Sequence, residues 1–309
     1  MEKITKKKSA KLAFSLIELS VVILIIGILI IGITKGSRII RASKLRSAQT
    51  LTTNSPVNST DGIVLWLETT LDKSFNSSEV VDTALGATGT ITTWKDINPQ
   101  VTTPSNATQT SGPAGSGNRP RYMLSAINGL PALNFDGAAY PNGDFFDFDG
   151  SKIANTNYSI FVVEQRRDGN NRYFISGRNP IDNANLHLGY RSSTVATFAQ
   201  YDNDIDANIP GFSSVIPRIH AYRFSSTKGK NYNINGSPAS GFVCVFPCVD
   251  TTGLVAFDNA YIGKTYEPGF GPTVFYYGDI GEIIMFNRYL TDSERSSIEN
   301  YRKAKWGVR

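Results

Sequence analysis

The sequence predicts a mainly β protein carried on a helix: an antiparallel β-sandwich set on a long N-terminal α-helical membrane anchor and stalk. Three observations predict it. Phe14 to Ile33, FSLIELSVVILIIGILIIGI, is an apolar run of twenty residues holding a single carboxylate, Glu18. Beyond residue 62, short apolar or alternating runs recur between turn signals, the pattern of strands. One helical pattern closes the chain, capped by Thr291 or Asp292, opened by Ser293-Glu294 and running through Lys305.

Residues 1–13, MEKITKKKSAKLA, form a basic leader with five lysines and one glutamate. The apolar run follows, and twenty residues at about 1.5 Å each match the roughly 30 Å of a bilayer's hydrocarbon. The leader's cations keep it in the cytoplasm, so everything after the span lies outside. A secretory signal peptide would have a shorter apolar stretch and a small-x-small cleavage site, whereas TKGSRIIRASKLRSAQ follows here. A plain anchor would explain the hydrophobicity but not Glu18, which costs about 3 kcal/mol at mid-bilayer and needs a partner. The helical pattern continues without proline to about residue 50, so residues 14–50 are expected as anchor and stalk. Gly32 and Gly36 stand at the spacing that lets helices approach closely. Residues 51–61, polar and containing Pro56, are expected as a linker, and 62–309 as the β domain.

Charge is distributed unevenly. The leader is basic, and Lys35, Arg38, Arg41, Lys44 and Arg46 follow the span, leaving residues 51–309 with 21 basic and 24 acidic residues. The basic pI therefore comes from leader and stalk, and the body is not expected to bind nucleic acid.

In the body, strands are expected at 62–67, 131–135, 158–163, 172–176, 186–190, 220–224, 231–234, 260–262 and 279–286, with Asn235-Gly236 as a hairpin turn. Residues 99–120 lack core-forming side chains and are expected as a surface loop. Cys244 and Cys248 would lie about 13 Å apart along a straight strand, beyond the roughly 4.4–6.8 Å that a disulfide spans. Pro247 supplies a turn between them, and an exported domain is oxidised, so this pair is expected as a small-loop disulfide.

The segment Lys11-Leu12-Ala13-Phe14-Ser15-Leu16-Ile17-Glu18-Leu19 resembles the N-terminus of type IV prepilins and type II secretion pseudopilins. The resemblance implies that prepilin peptidase cuts between Ala13 and Phe14 and that the new Phe14 amine is methylated. It also implies that Glu18 pairs with the N-terminal amine of a neighbouring pilin or pseudopilin subunit as helices bundle. Before assembly the chain would sit in the inner membrane, its C-terminal domain outside the cytoplasm. Most such chains carry Gly where this one has Ala13.

The body resembles concanavalin A-like, laminin G-like jelly-roll domains, through GIVLWLE, TTWKDI, PRYMLSAINGLPALNFDG, YSIFVVEQ and GDIGEIIMFNRYLTDSERSSIENYRKAKWG. These motifs are structural, and Trp66, Trp94 and Trp306 are expected in the core. The fold serves binders, hydrolases and scaffolds alike. A glycosidase needs two carboxylates about 5–9 Å apart, but Glu282 has no acid two or four residues away, and Asp279 falls on the other face. The head is therefore expected not to be an enzyme. Asp202, Asp204 and Asp206 alternate in what reads as an oxygen-rich loop suited to Ca²⁺, and Asp144, Asp147 and Asp149 form a second acidic patch. The expected role is a minor pilus or pseudopilus subunit whose head binds a glycan or surface protein. The competing reading is a structural secretion pseudopilin whose head contacts other subunits.

Overall fold

The computed structural model describes residues 16–80, 87–109, 119–167, 171–178, 181–201, 203–209, 216–239, 241, 243–246, 251–266 and 273–309. The chain divides into a unit ending at Ser43 and a second from Lys44 to Arg309.

Helix α1 runs Leu16–Thr53. Its side chains are described over residues 16–30 and again from 36, and the apolar ones of the first stretch are exposed. Among the described residues no helix is long and apolar enough to cross a membrane. Ala13 and Phe14 lie outside the described residues, while Glu18 falls in the first turn of α1.

In the second unit, the stretch expected as a linker is a packed junction. The helix persists to Thr53, and a 3₁₀ turn, Pro56–Ser59, follows. The helix-end carbonyls of Thr52 and Thr53 accept from Asn58 Nδ2 at 3.2 and 2.8 Å, which satisfies groups a free helix end would leave to water. Ala48, Thr52 and Val57 are buried.

Among the described residues, two antiparallel sheets of nine strands each form the sandwich, as the alternating runs predict. The first runs in the order Ser237–Pro238, Gly229–Ile234, Arg218–Ser225, Tyr158–Arg166, Tyr277–Phe286, Leu130–Asp136, Arg121–Ile127, Ala87–Thr90, with Ile63–Glu68 also paired to Tyr277–Phe286. The second runs Val243–Phe246, Asp204–Asn208, Val195–Ala199, His187–Ser192, Arg172–Gly177, Asn259–Ile262, Phe146–Asp149, Ala107–Thr108, Thr93–Trp94. Ala107, inside the stretch expected as a surface loop, is fully buried and opposite Trp94. Side chains that point inward from both sheets, among them Phe135, Phe146, Ile160, Val162 and Phe198, make one core.

The first sheet is covered on its other face too. Helix α2, Asp292–Trp306, begins in a Thr291/Glu294 capping box and ends at Gly307 with φ 62°. Its Ile298 and Tyr301 pack on Phe161, Ala221 and Ile284, while Trp306, with Ala48 of α1, packs beside Val163 and Ile219. Gly281 makes this fit possible, since a Cβ there would lie 2.5 Å from the Trp306 ring. The register of its strand also shifts there, between Ile280 and Glu282.

Candidate functional site

The carboxylates fall into three settings. Under α2, Glu68 and Glu282 are cross-strand neighbours with no exposure. Sequence spacing missed Glu68 as the acidic partner of Glu282 because it comes from the opposite end of the domain. Both carboxylates are spent on structure. Glu282 accepts from Trp66 Nε1 at 2.9 Å, Trp306 Nε1 at 3.0 Å and Tyr301 OH at 2.8 Å. Lys305 Nζ stands 2.9 Å from Glu68, and Arg302 Nε lies 3.4 Å from Glu282. Burial alone would raise the Glu282 pKa, but Lys305 and Arg302 outweigh it and hold it below the usual carboxylate range. The three tryptophans are core, as expected, and their indole N–H groups tie strands together, with Trp94 donating to the Glu68 carbonyl at 2.8 Å.

The second setting is the sandwich interior. Glu164 accepts from the hydroxyls of Tyr190 and Tyr276 and lies 3.0 Å from His220 Nε2, and all four residues are fully buried. No substrate reaches a carboxylate enclosed in this way.

The outer face of the second sheet is different. Strand pairing aligns Asp204, Ala199, His187, Ser176, Tyr261 and Asp147 in one cross-strand row. Asp206, Thr197, Gly189 and Tyr173 form the next. The intervening Phe198 and Leu188 point into the core, so both rows face away from it. Gly189 has φ 153°, and a Cβ would meet the Arg172 carbonyl at 2.4 Å, so this place in the row stays bare.

Around His187 the chain gathers three tyrosines from other segments. Ring centroids lie 5.2 Å away for Tyr173, 4.9 Å for Tyr266 and 6.0 Å for Tyr201, which takes a left-handed φ of 48°. The three tyrosine rings are partly exposed, whereas His187 beneath them is buried, with 7% exposure. Its Nε2 is buried and has no hydrogen-bond partner among the described residues. Burial, with the Arg191 charge added, pushes the His187 pKa down to about 3, so the ring is neutral at physiological pH. Beyond the rings, Lys264 Nζ sits 3.7 Å from the Tyr261 centroid and 3.9 Å from that of Phe145.

The residues expected to hold Ca²⁺ reach this face. The oxygen-rich loop is in fact a strand, Asp204–Asn208, because Val195–Ala199 pairs along all of it. Alternation then puts Asp204 and Asp206 on one face, where Arg191 joins them through Nη2 at 2.6 Å from Asp204 and Nε at 3.0 Å from Asp206. A calcium ion bound by these two would have to displace the guanidinium. Asp202 lies outside the described residues. In the second acidic patch, Asp144 is buried and accepts from the Asp136 amide at 2.9 Å, and Asp149 accepts from Ser151 N at 2.9 Å. Cys244 lies in Val243–Phe246, but Cys248 is outside the described residues, and with it the expected disulfide.

Clefts elsewhere in the head include one of about 500 Å³ beside Ala48, Leu51 and Trp306, and one of about 380 Å³ beside Asn157, Phe224 and Val255. Neither is lined by an unpartnered buried polar group, so the aromatic face is the stronger candidate.

No protein-family model matches the sequence, and no curated protein matches it. Solved structures do. A sialidase of Trypanosoma rangeli, in complex with a difluorinated nononic acid, aligns over 86% of this chain at 13% identity and a TM-score of 0.51. The present chain spans 39% of that protein's length. Domain 4 of the arabinanase AbnA from Geobacillus stearothermophilus, in complex with arabinotriose, aligns over 77% of this chain and 98% of its own, at 14% identity and a TM-score of 0.48. The sialidase likeness agrees with the observed two-sheet sandwich and extends to the fold alone.

Proposed function

We propose that this chain is a pilin-like, membrane-anchored minor subunit of a type IV pilus or pseudopilus whose jelly-roll head binds glycans at the cell surface. The observation that carries the binding half is the outer face of the second sheet, where a neutral imidazole with an unpartnered Nε2 lies beneath three tyrosine rings. Sugars present apolar C–H faces and hydroxyls together. Tyrosine rings with polar edges answer the first, and imidazole, carboxylate and hydroxyl groups answer the second. The sialidase of similar fold is itself a protein of sugar chemistry, which agrees with this reading.

We assign the head no catalytic part: Glu68, Glu282 and Glu164 are fully buried, and the partly exposed Asp204 and Asp206 are joined by Arg191. The anchor half rests on the apolar run and on Phe14 and Glu18 within the prepilin-like segment.

Two measurements test the halves separately. A glycan array probed with residues 44–309 should return binders that a His187→Ala variant loses. An array without binders would favour the structural pseudopilin. Mass spectrometry of the protein from its native membrane should find N-methylated Phe14 as the first residue, and retention of residues 1–13 would remove the pilin reading.

A further inference from the structure

The ligand's charge class follows from how the outer face of the second sheet spends its own charges. We infer that this site, taken as the glycan site proposed above, selects neutral sugars and rejects those carrying a carboxylate, such as sialic and uronic acids. This rests on the glycan-binding reading and goes beyond it.

Among the described residues, three charged side chains border the aromatic cluster: Arg191, Asp204 and Asp206. The guanidinium is committed. Its Nη2 donates to Asp204 at 2.6 Å and to Thr197 Oγ1 at 3.3 Å, and its Nε donates to Asp206 at 3.1 Å. The paired N–H edge of an arginine is the strongest partner for a ligand carboxylate, and here the edge formed by Nε and Nη2 is engaged by the protein's own acids. The two carboxylates outnumber the one cation, leaving this corner with net negative charge. Asp204 adds a buried Oδ1 without a hydrogen-bond partner among the described residues, an acceptor that calls for a donor.

Two other cations of the face, Lys264 and Arg172, also make contacts within the protein. Lys264 is 5% exposed, with its ammonium against the Phe145 and Tyr261 rings, and Arg172 Nη1 donates to the Phe275 carbonyl at 2.6 Å. What remains toward a ligand is therefore an acceptor-rich corner beside a neutral imidazole and tyrosine rings. Sugar hydroxyls supply donors to that corner. A sugar carboxylate would bring a third negative charge to Asp204 and Asp206.

The experiment measures binding of the full-length protein in detergent to matched glycan pairs that differ in a terminal neutral sugar or its acidic counterpart, at two ionic strengths. The expected result is at least about tenfold tighter binding of the neutral member at low salt, narrowing as salt screens the repulsion. Asp204→Asn, an amide of the same shape, should narrow the preference by about the same factor, with Asp206→Asn as the second variant should Asp204→Asn fail to fold. Equal or tighter binding of the acidic member, or a preference untouched by salt and by both variants, would overturn the inference while leaving glycan binding intact. Absence of binding to every glycan would instead overturn the reading on which it rests.

Discussion

Protonating His187 would place a charge beneath three tyrosine rings, and the fold resists it. Its pKa is about 3 in the folded chain against 6.5 as the ordinary value. As pH falls, the unfolded chain takes up the proton first, so stability is fully present above about pH 6.5 and is lost progressively toward pH 3. Urea unfolding at pH 7 and pH 4 should show this loss, and a His187→Gln variant should show a smaller one. Between pH 5 and 8 the imidazole carries no charge, so its contribution to ligand binding should be flat, which titration calorimetry across that range can measure. Glu18 makes the other residue-scale prediction. If it neutralises a neighbour's amine, Glu18→Ala should be inserted and cleaved normally yet be absent from sheared filaments; wild-type levels there would assign the carboxylate another purpose. The sequence exposed these residues unequally. Glu18 stands out because a charge inside twenty apolar residues has a cost, and the three tryptophans stand out as core by size. His187 in Leu186-His-Leu-Gly-Tyr190 looks like any strand histidine, since Tyr173, Tyr201 and Tyr266 reach it only through folding.

Helix α2 is held to the first sheet by packing and by the ions beneath it. Lys305→Ala removes the ammonium that lies 2.9 Å from Glu68 and 3.6 Å from Glu282, both fully buried. An uncompensated buried charge costs roughly 3–5 kcal/mol, so the variant's denaturation midpoint should fall steeply. Gly281→Ala tests packing at the same place. Its methyl would enter the Trp306 ring position, and overpacking of this kind costs about 1–3 kcal/mol. A change below about 0.5 kcal/mol in that variant, within the range of ordinary surface substitutions, would show that the ring yields freely. The helix itself was legible, because Thr291 and Glu294 spell out a capping box. Hydrophobic alternation likewise revealed the core strands. Asp204–Asn208 escaped because its acids read as solvated until Arg191, on a neighbouring strand but one, is brought across to neutralise them.

Across the whole head, the end of α1 behaves as a component of the sandwich. Ala48 and Thr52 are 2% and 1% exposed, Tyr301 OH lies 3.3 Å from Thr52 Oγ1, and Gln49 Nε2 donates to the Thr70 carbonyl at 2.9 Å. Residues 44–309 should therefore melt as one cooperative unit, whereas a cut at residue 55 uncovers Trp306 and its neighbours and should lower the melting temperature by several degrees; calorimetry of the two fragments compares them directly. The polar stretch 51–61 misled as sequence because its burial rests on backbone carbonyls capped by Asn58, which hydropathy does not register. This junction also has a mechanical meaning. If the head is displayed and binds as proposed, it is pulled whenever the cell moves against what it holds, and a slack tether would first pay out its length. Here the end of the helix, from Lys44 on, packs against α2, which follows on a strand at the centre of the first sheet. Tension is then delivered in shear across packed side chains and sheet hydrogen bonds, so the load reaches the rigid part of the sandwich at once.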